Sequence, residues 1–310
     1  MAKWDIVIGN VPTVEHCSNF SSIAGNKGNS ELWAVKVNDT NDKAVLYYFK
    51  NLASGSYTQC MVDNVFGHAG GISCSSSYLF IGCRIPGITN KNKYVARIKL
   101  DTARKLPKTV DKSYFTSKGY LVDSSNMVGT LSYYEPNKLL VRDLAYVTNG
   151  KLNSDGYDKF YVMDYTGGSS PEYTPASNSA FYTYIPSNYR DKIEHNQGFF
   201  YDKSAGYLYT IYNLKNGGNE PVDNRIFVYS LEEKSGTKDG LPYYKKMHTI
   251  TINPEGKPDN VDYTKLEIES ACLDKDGRLL LGGNFGRANG NYDDMIIRVK
   301  GFDPANPTPN

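Results

Sequence analysis

Short runs of β-branched, aromatic and aliphatic residues recur along the whole chain, separated by clusters of Gly, Asn, Asp, Ser and Pro. Runs of about four to eight such residues between turn formers predict strands, and helical periodicity is nearly absent. The runs repeat. The clearest unit opens on the polar cluster at the start of Lys192–Asp202, continues through Gly206–Tyr212 and closes with Asn224–Leu231. Comparable triplets are Gly67–Cys74, Tyr78–Cys83 and Tyr94–Leu100, then Asn126–Tyr134, Lys138–Arg142 and Lys159–Asp164, then Leu266–Leu273, Arg278–Gly282 and Met295–Lys300. A blurred first copy runs Asn19–Ala24, Glu31–Val37 and Ala44–Phe49. More polar fourth strands fit at Tyr57–Val62, Gly119–Val122, Phe181–Ile185 and Tyr244–Ile252. Units of about 50–70 residues with four antiparallel strands read as propeller blades.

The predicted fold is therefore all-β, a five-bladed β-propeller of four-stranded antiparallel blades in a single domain, 1–310. The blades span about 15–65, 66–123, 124–187, 188–253 and 254–303. Pro304, Pro307 and Pro309 leave 304–310 as a tail, so the last blade lacks a fourth strand. Trp4–Ile8 is predicted to supply it, closing the ring and covering exposed edges. Crowding around the axis calls for small residues on inner strands, and Ala69-Gly70-Gly71, Gly129-Thr130, Gly198 and Ser270-Ala271 meet that need.

Composition narrows the partners. The 310 residues include 26 Tyr, 28 Gly and 14 Pro, and 35 basic against 33 acidic residues give a net charge of +2. That balance gives no reason to expect nucleic acid. No apolar run is long enough for a membrane span, and Met1-Ala-Lys-Trp-Asp5 does not open the apolar core of a secretory signal. The five cysteines read as buried, mostly free thiols, with a Cys17–Cys272 bridge as the alternative.

Superposing the units places His68, Met127, His195 and Glu267 four positions before the first apolar residue of each inner strand. Asn126, Glu194, Asn196, Gln197 and Glu269 lie beside them, and His16 and Asn19 precede the first inner strand. In a propeller such positions converge at one mouth of the channel. Three readings stay open there. The polar residues border a wet channel and serve structure alone. Or His68, Asn126, His195, Asn196, Gln197 and Glu267 bind a polar ligand such as a sugar, with aromatic rings stacking on it. Or the site is catalytic, with His68 and His195 as acid and base and Glu267 or Glu269 as partner. No cofactor is predicted, and no local spacing supports the further option of a divalent metal held at this mouth.

Other motifs read as loops. Asp274–Gly277 is a hairpin turn rather than a calcium loop, since the later glutamate is missing. Gly282–Gly286 has no helix after it to hold a phosphate and is read as a loop. Gly167–Tyr173 is read as exposed, and the polar connections Pro86–Lys93, Asn149–Asp158, Leu214–Asp223 and Gly286–Asp293 as loops on one face, either an adaptable recognition surface or simply tolerated insertions. Asn19 and Asn38 each open a glycosylation triplet.

Three patches resemble the helveticin J family of large bacteriocins: His68–Ile72 with Tyr94–Asp101, Gln197–Asp202 with Tyr207–Tyr209, and Glu267–Ser270. The resemblance covers about half the chain loosely; the high Tyr content and the first blade depart from it. It implies an extracellular antibacterial protein acting on a bacterial envelope component, exported without an ordinary signal peptide, and carries over no catalytic residue. The expected function is a secreted binding protein for a glycan or cell-surface polymer. The alternative is a polysaccharide hydrolase or lyase at the channel mouth.

Overall fold

The fold was taken from a computed structural model describing all residues except 27–29, 86–92, 144–146, 149–150, 153–154, 169, 216–220 and 309–310. In chain order, β1 (Trp4–Ile8) precedes the meander β2 (Asn19–Gly25), β3 (Leu32–Val37), β4 (Lys43–Phe49) and β5 (Tyr57–Asp63). Next come β6 (Ile72–Cys74), β7 (Tyr78–Cys83), β8 (Tyr94–Lys99), helix α1 (Leu100–Ala103), β9 (Thr109–Asp111), helix α2 (Lys112–Ser117) and β10 (Leu121–Asp123). The middle of the chain forms β11 (Leu131–Glu135), β12 (Lys138–Arg142), the hairpin β13 (Val147–Thr148) and β14 (Lys151–Leu152), β15 (Tyr157–Tyr165), β16 (Tyr173–Pro175), β17 (Phe181–Tyr184) and helix α3 (Ser187–Arg190). It continues with β18 (Ile193–Asp202), β19 (Tyr207–Lys215), β20 (Pro221–Ser230), β21 (Gly236–Lys238), β22 (Leu241–Lys245) and β23 (His248–Ile252). The chain ends with β24 (Tyr263–Leu273), β25 (Leu279–Arg287) and β26 (Tyr292–Val299).

Among the described residues these strands make three sheets of four strands, one of five and one of seven, besides the β13–β14 hairpin. Pairing is antiparallel within the meanders. The fold is an all-β propeller. One end strand of each sheet touches the corresponding strands of the sheets on either side: β2 meets β6 and β24, β11 meets β6 and β18, and β18 meets β24. β1 pairs antiparallel with β26, Trp4 opposite Val299.

The hydrophobic runs are continuous because most strands are buried on both faces. Trp33, Val35 and Val37 of β3 point into the core shared with the second sheet, while Leu32 and Ala34 point into the core shared with the last sheet. On β7, Leu79 and Ile81 face the first sheet and Phe80 faces the third. Trp4 is 1% exposed, stacks edge-on against Phe285 at 5.8 Å and donates Nε1 to the Asn253 carbonyl at 3.1 Å.

Several expectations are corrected. Blades are not uniformly four-stranded: β9 adds to β5 in parallel, and the β21–β22 hairpin leaves its own sheet so that β22 pairs in parallel with β17. Tyr244 therefore belongs to the neighbouring sheet, where its ring meets Phe181 at 5.6 Å, and the fourth strand of its unit begins at His248. Gly282–Gly286 is strand, not loop, and Gly283 lies so close to the Glu267 carbonyl that a Cβ would stand 2.1 Å from it. Tyr173 is buried and starts β16 rather than ending an exposed loop. Arg287 and Tyr292 are likewise in strands, which shortens the predicted Gly286–Asp293 connection, whereas most of Pro86–Lys93 and parts of Asn149–Asp158 and Leu214–Asp223 lie outside the described residues. All five cysteines are free thiols, so Cys17 and Cys272 share a core without a bridge. Asp274 Oδ1 accepts from the Asp276 and Arg278 amides at 2.9 Å each, making the predicted hairpin turn. Among the described residues no helix is long and apolar enough to cross a membrane.

Candidate functional site

The candidate residues sit where β18 and β24 run side by side around the axis. Glu267 and Glu269 are two apart on β24, so the strand period turns both to one side. A bulge between Ile268 and Ser270 twists them locally. β18 carries bulges at the matching height, between Ile193 and His195 and between Asn196 and Phe199. Gly198 lets the two backbones close up, since a Cβ there would lie 2.8 Å from the Glu269 carbonyl oxygen.

That approach sets Gln197 between the two carboxylates. Its Nε2 donates to Glu267 Oε1 at 3.3 Å and to Glu269 Oε1 at 3.2 Å. His195 Nδ1 lies 3.2 Å from Glu267 Oε1. Asn284 of β25 donates to Glu269 Oε1 at 3.5 Å and accepts from the Phe20 amide at 3.3 Å, tying β2 to the same cluster. The two carboxyls differ in surroundings. Burial, then the neighbouring charges of Glu267 and Asp294, push the Glu269 carboxyl well above the ordinary carboxylate range. Glu267, with its side chain 31% exposed, instead meets the His195 imidazole.

The other predicted residues stand apart from this cluster. His68 is exposed at the mouth, its Nδ1 3.3 Å from Asn41 Oδ1, and its carbonyl accepts from Ser21 Oγ, so it is tied to the first sheet. Asn126 bonds within its own turn: its amide donates to Ser124 Oγ and its Oδ1 accepts from Ser125 Oγ, both at 3.3 Å. Asn196 faces away from the cluster, toward the buried Asp158. Glu194 pairs with Lys215 at 2.7 Å, and Asn19 donates to Asp39 at 2.7 Å. Among the described residues no group of three or more His, Cys, Asp and Glu side chains gathers as a metal-ligand set.

Arg142 escaped the sequence reading. Its side chain is 2% exposed, its Nε is 3.0 Å from Oδ2 of the fully buried Asp158, and its Nη1 donates to the Gln197 carbonyl. The guanidinium carbon lies 5.5 Å and 5.2 Å from the Phe160 and Phe199 ring centroids. Tyr212 donates to Asp158 Oδ2 at 3.2 Å. The guanidinium thus clamps the backbone of the residue whose side chain spans the two glutamates. The signal was present: a charge directly after the apolar run Leu139–Val141, where strand pattern demands a core residue.

No family model matches the chain, and no curated protein matches it. Solved structures do. The chain is similar to xylan β-1,4-xylosidase from Bacillus halodurans C-125, with a TM-score of 0.51 and 13% identity over 96% of this chain and 55% of that one. It is similar to the β-xylosidase RS223, with a TM-score of 0.51 and 8% identity over 97% and 96% of the two chains. Other matched chains are longer, and it spans 66%, 52% and 57% of three of them. At these identities the likeness shows the fold alone.

Proposed function

We propose that this chain hydrolyses a glycan at the mouth formed by β18 and β24, with Glu269 as proton donor and Glu267 as the partner carboxylate. The observation that carries this reading is the asymmetry across Gln197: one amide holds two carboxyls, one pushed well above the ordinary carboxylate range by burial and like charge, the other partly exposed beside His195. Glycoside hydrolysis needs such a pair, an acid to protonate the leaving oxygen and a carboxylate to act as base or nucleophile. Both structures quoted above are named as β-xylosidases, which favours hydrolysis over the binding role expected first. The partner is then a glycan, and a bacterial-envelope polymer is the class the helveticin J resemblance implies. We read each propeller sheet as a blade, five in all, with β1 closing the ring.

The test is release of reducing sugar from aryl glycosides, xylan, arabinoxylan and purified cell-wall glycans. Wild type is expected to cleave at least one, and Glu269→Gln and Glu267→Gln each to lose about a hundredfold or more, the scale of a missing general acid or base. No release from any substrate, with saturable retention on a glycan array, would return the protein to a binding role.

A further inference from the structure

A second cavity opens at the opposite ends of the inner strands. It has a volume of about 550 Å³ and is lined by all of β2, β6, β11, β18 and β24. On β18 the glutamine–glutamate cluster involves Gln197 while the cavity takes Phe200–Asp202, and on β24 it involves Glu267 and Glu269 while the cavity takes Ala271–Leu273. The cavity is therefore separate from the site described above.

Its walls are unequal. The adjoining strands β24, β2 and β6 supply aliphatic side chains, Leu273, Ile23 and Ile72, whereas the adjoining β11 and β18 supply Tyr133, Phe200 and Tyr201. The rings are held from behind: Tyr133 stacks on Phe80 at 6.2 Å, Phe200 on Tyr209 at 4.4 Å and Tyr201 on Tyr134 at 4.9 Å. A preformed aromatic wall opposite an aliphatic one accepts a flat apolar body without reorganisation.

The charges nearby already have polar partners. Lys203 Nζ lies 3.2 Å from Glu135 Oε2, and Asp202 Oδ1 accepts from the Ser204 amide and hydroxyl at 3.0 and 2.6 Å. Ser73 and Ser132 hydroxyls accept from the Tyr133 and Tyr201 amides at 2.8 and 3.0 Å, which anchors the aromatic wall. An ionic ligand would lose its hydration here and find its counter-charges engaged.

We infer that this cavity is a second binding site, for a small, flat, uncharged ligand of aryl type bearing few hydrogen-bonding groups. The probe pair is N-phenylnaphthylamine and its sulfonated analogue anilinonaphthalene sulfonate, which differ in a single charge. Fluorescence titration of the native full chain is expected to show one saturable site for the neutral dye, and about tenfold or weaker binding of the sulfonate, equivalent to at least 1.4 kcal/mol. Tyr133→Ala and Tyr201→Ala, each checked by circular dichroism, are expected to weaken the neutral dye by about tenfold, and Tyr201→Phe to retain it. No saturable binding of the neutral dye, equal binding of both dyes, or unchanged binding in the folded alanine variants would overturn the inference. The first two outcomes need no variant, and none depends on whether the chain hydrolyses glycans.

Discussion

Glu267 and Glu269 are separated by one residue, yet the protein treats them differently. The raised Glu269 carboxyl has a consequence for pH. In the unfolded chain it ionises near its ordinary value of 4.5, and in the folded chain only at higher pH. Between those points the unfolded state has released a proton that the native state keeps, so stability falls as pH rises through that window. Glu269→Gln is expected to flatten this slope and to raise the melting temperature relative to wild type at pH 8 but not at pH 4. Thermal unfolding at the two values checks it. The same shift makes hydrolysis decline as pH rises through the folded-state value, while Glu269→Gln shows no such limb.

Arg142 presents the opposite problem, a charge almost wholly out of water. Replacing it with Met leaves Asp158 uncompensated and frees the Gln197 carbonyl. The expected loss is about 3–5 kcal/mol in urea unfolding, the usual scale for breaking a buried pair. The double change Arg142→Met with Asp158→Leu is expected to recover much of that loss, because neither charge then stays buried alone. Lys36 is a second such case: fully buried, paired with Asp294 and donating to the Val11 carbonyl at 2.9 Å, it holds the segment after β1 against the first sheet.

Elements explain why the cluster forms where it does. β2, β18 and β24 each carry a bulge, between Phe20 and Ser22, Asn196 and Phe199, and Ile268 and Ser270. Bulges interrupt the strict in-and-out alternation and re-aim polar side chains toward the axis. Gly198 is the residue that permits the approach. Gly198→Val is expected to push β18 away from the Glu269 carbonyl, to lower stability by about 1–3 kcal/mol through overpacking, and to abolish hydrolysis even where the fold survives. At β1, Trp4 fills the core shared by the fourth and last sheets. Trp4→Ala is expected to cost about 3–5 kcal/mol by cavity formation, read from the denaturant midpoint.

On the scale of the whole molecule, the first strand hydrogen-bonds to the last, so the two chain ends meet in one sheet. Removing residues 1–9 would expose the edge of β26 and open the core around Trp4. The truncated chain is expected to lose a single cooperative unfolding transition and to aggregate, as unpaired edges do. Size-exclusion chromatography and calorimetry test this together.

The strand set was legible because it depends on local pattern. Tyr78–Cys83 and Lys138–Arg142 fall where the alternation and turn residues put them, and the pairing of Trp4–Ile8 with the last sheet followed from a missing strand at the C-terminal end. Propeller meanders pair neighbours in sequence, so local signals suffice. The same locality misled where the chain departs from its own sheet: the β21–β22 hairpin crosses to β17, a contact with no counterpart in periodicity. The candidate site divides along the same line. Position within each unit placed His68, Met127, His195 and Glu267 at one level, with Asn126 beside them, but level along a strand does not set which way a side chain points. Bulges, the close approach at Gly198 and the Arg142 clamp decided that His195, Gln197, Glu267 and Glu269 meet, while His68 bonds Asn41 and Asn126 its own turn. The sequence by itself determined the all-β class and most of the meander strands, because burial on both faces writes itself into most of the runs. Which polar side chains share a site, and which carboxyl is pushed above the ordinary carboxylate range, came only from tertiary structure, because both depend on distances and burial between residues far apart in the chain.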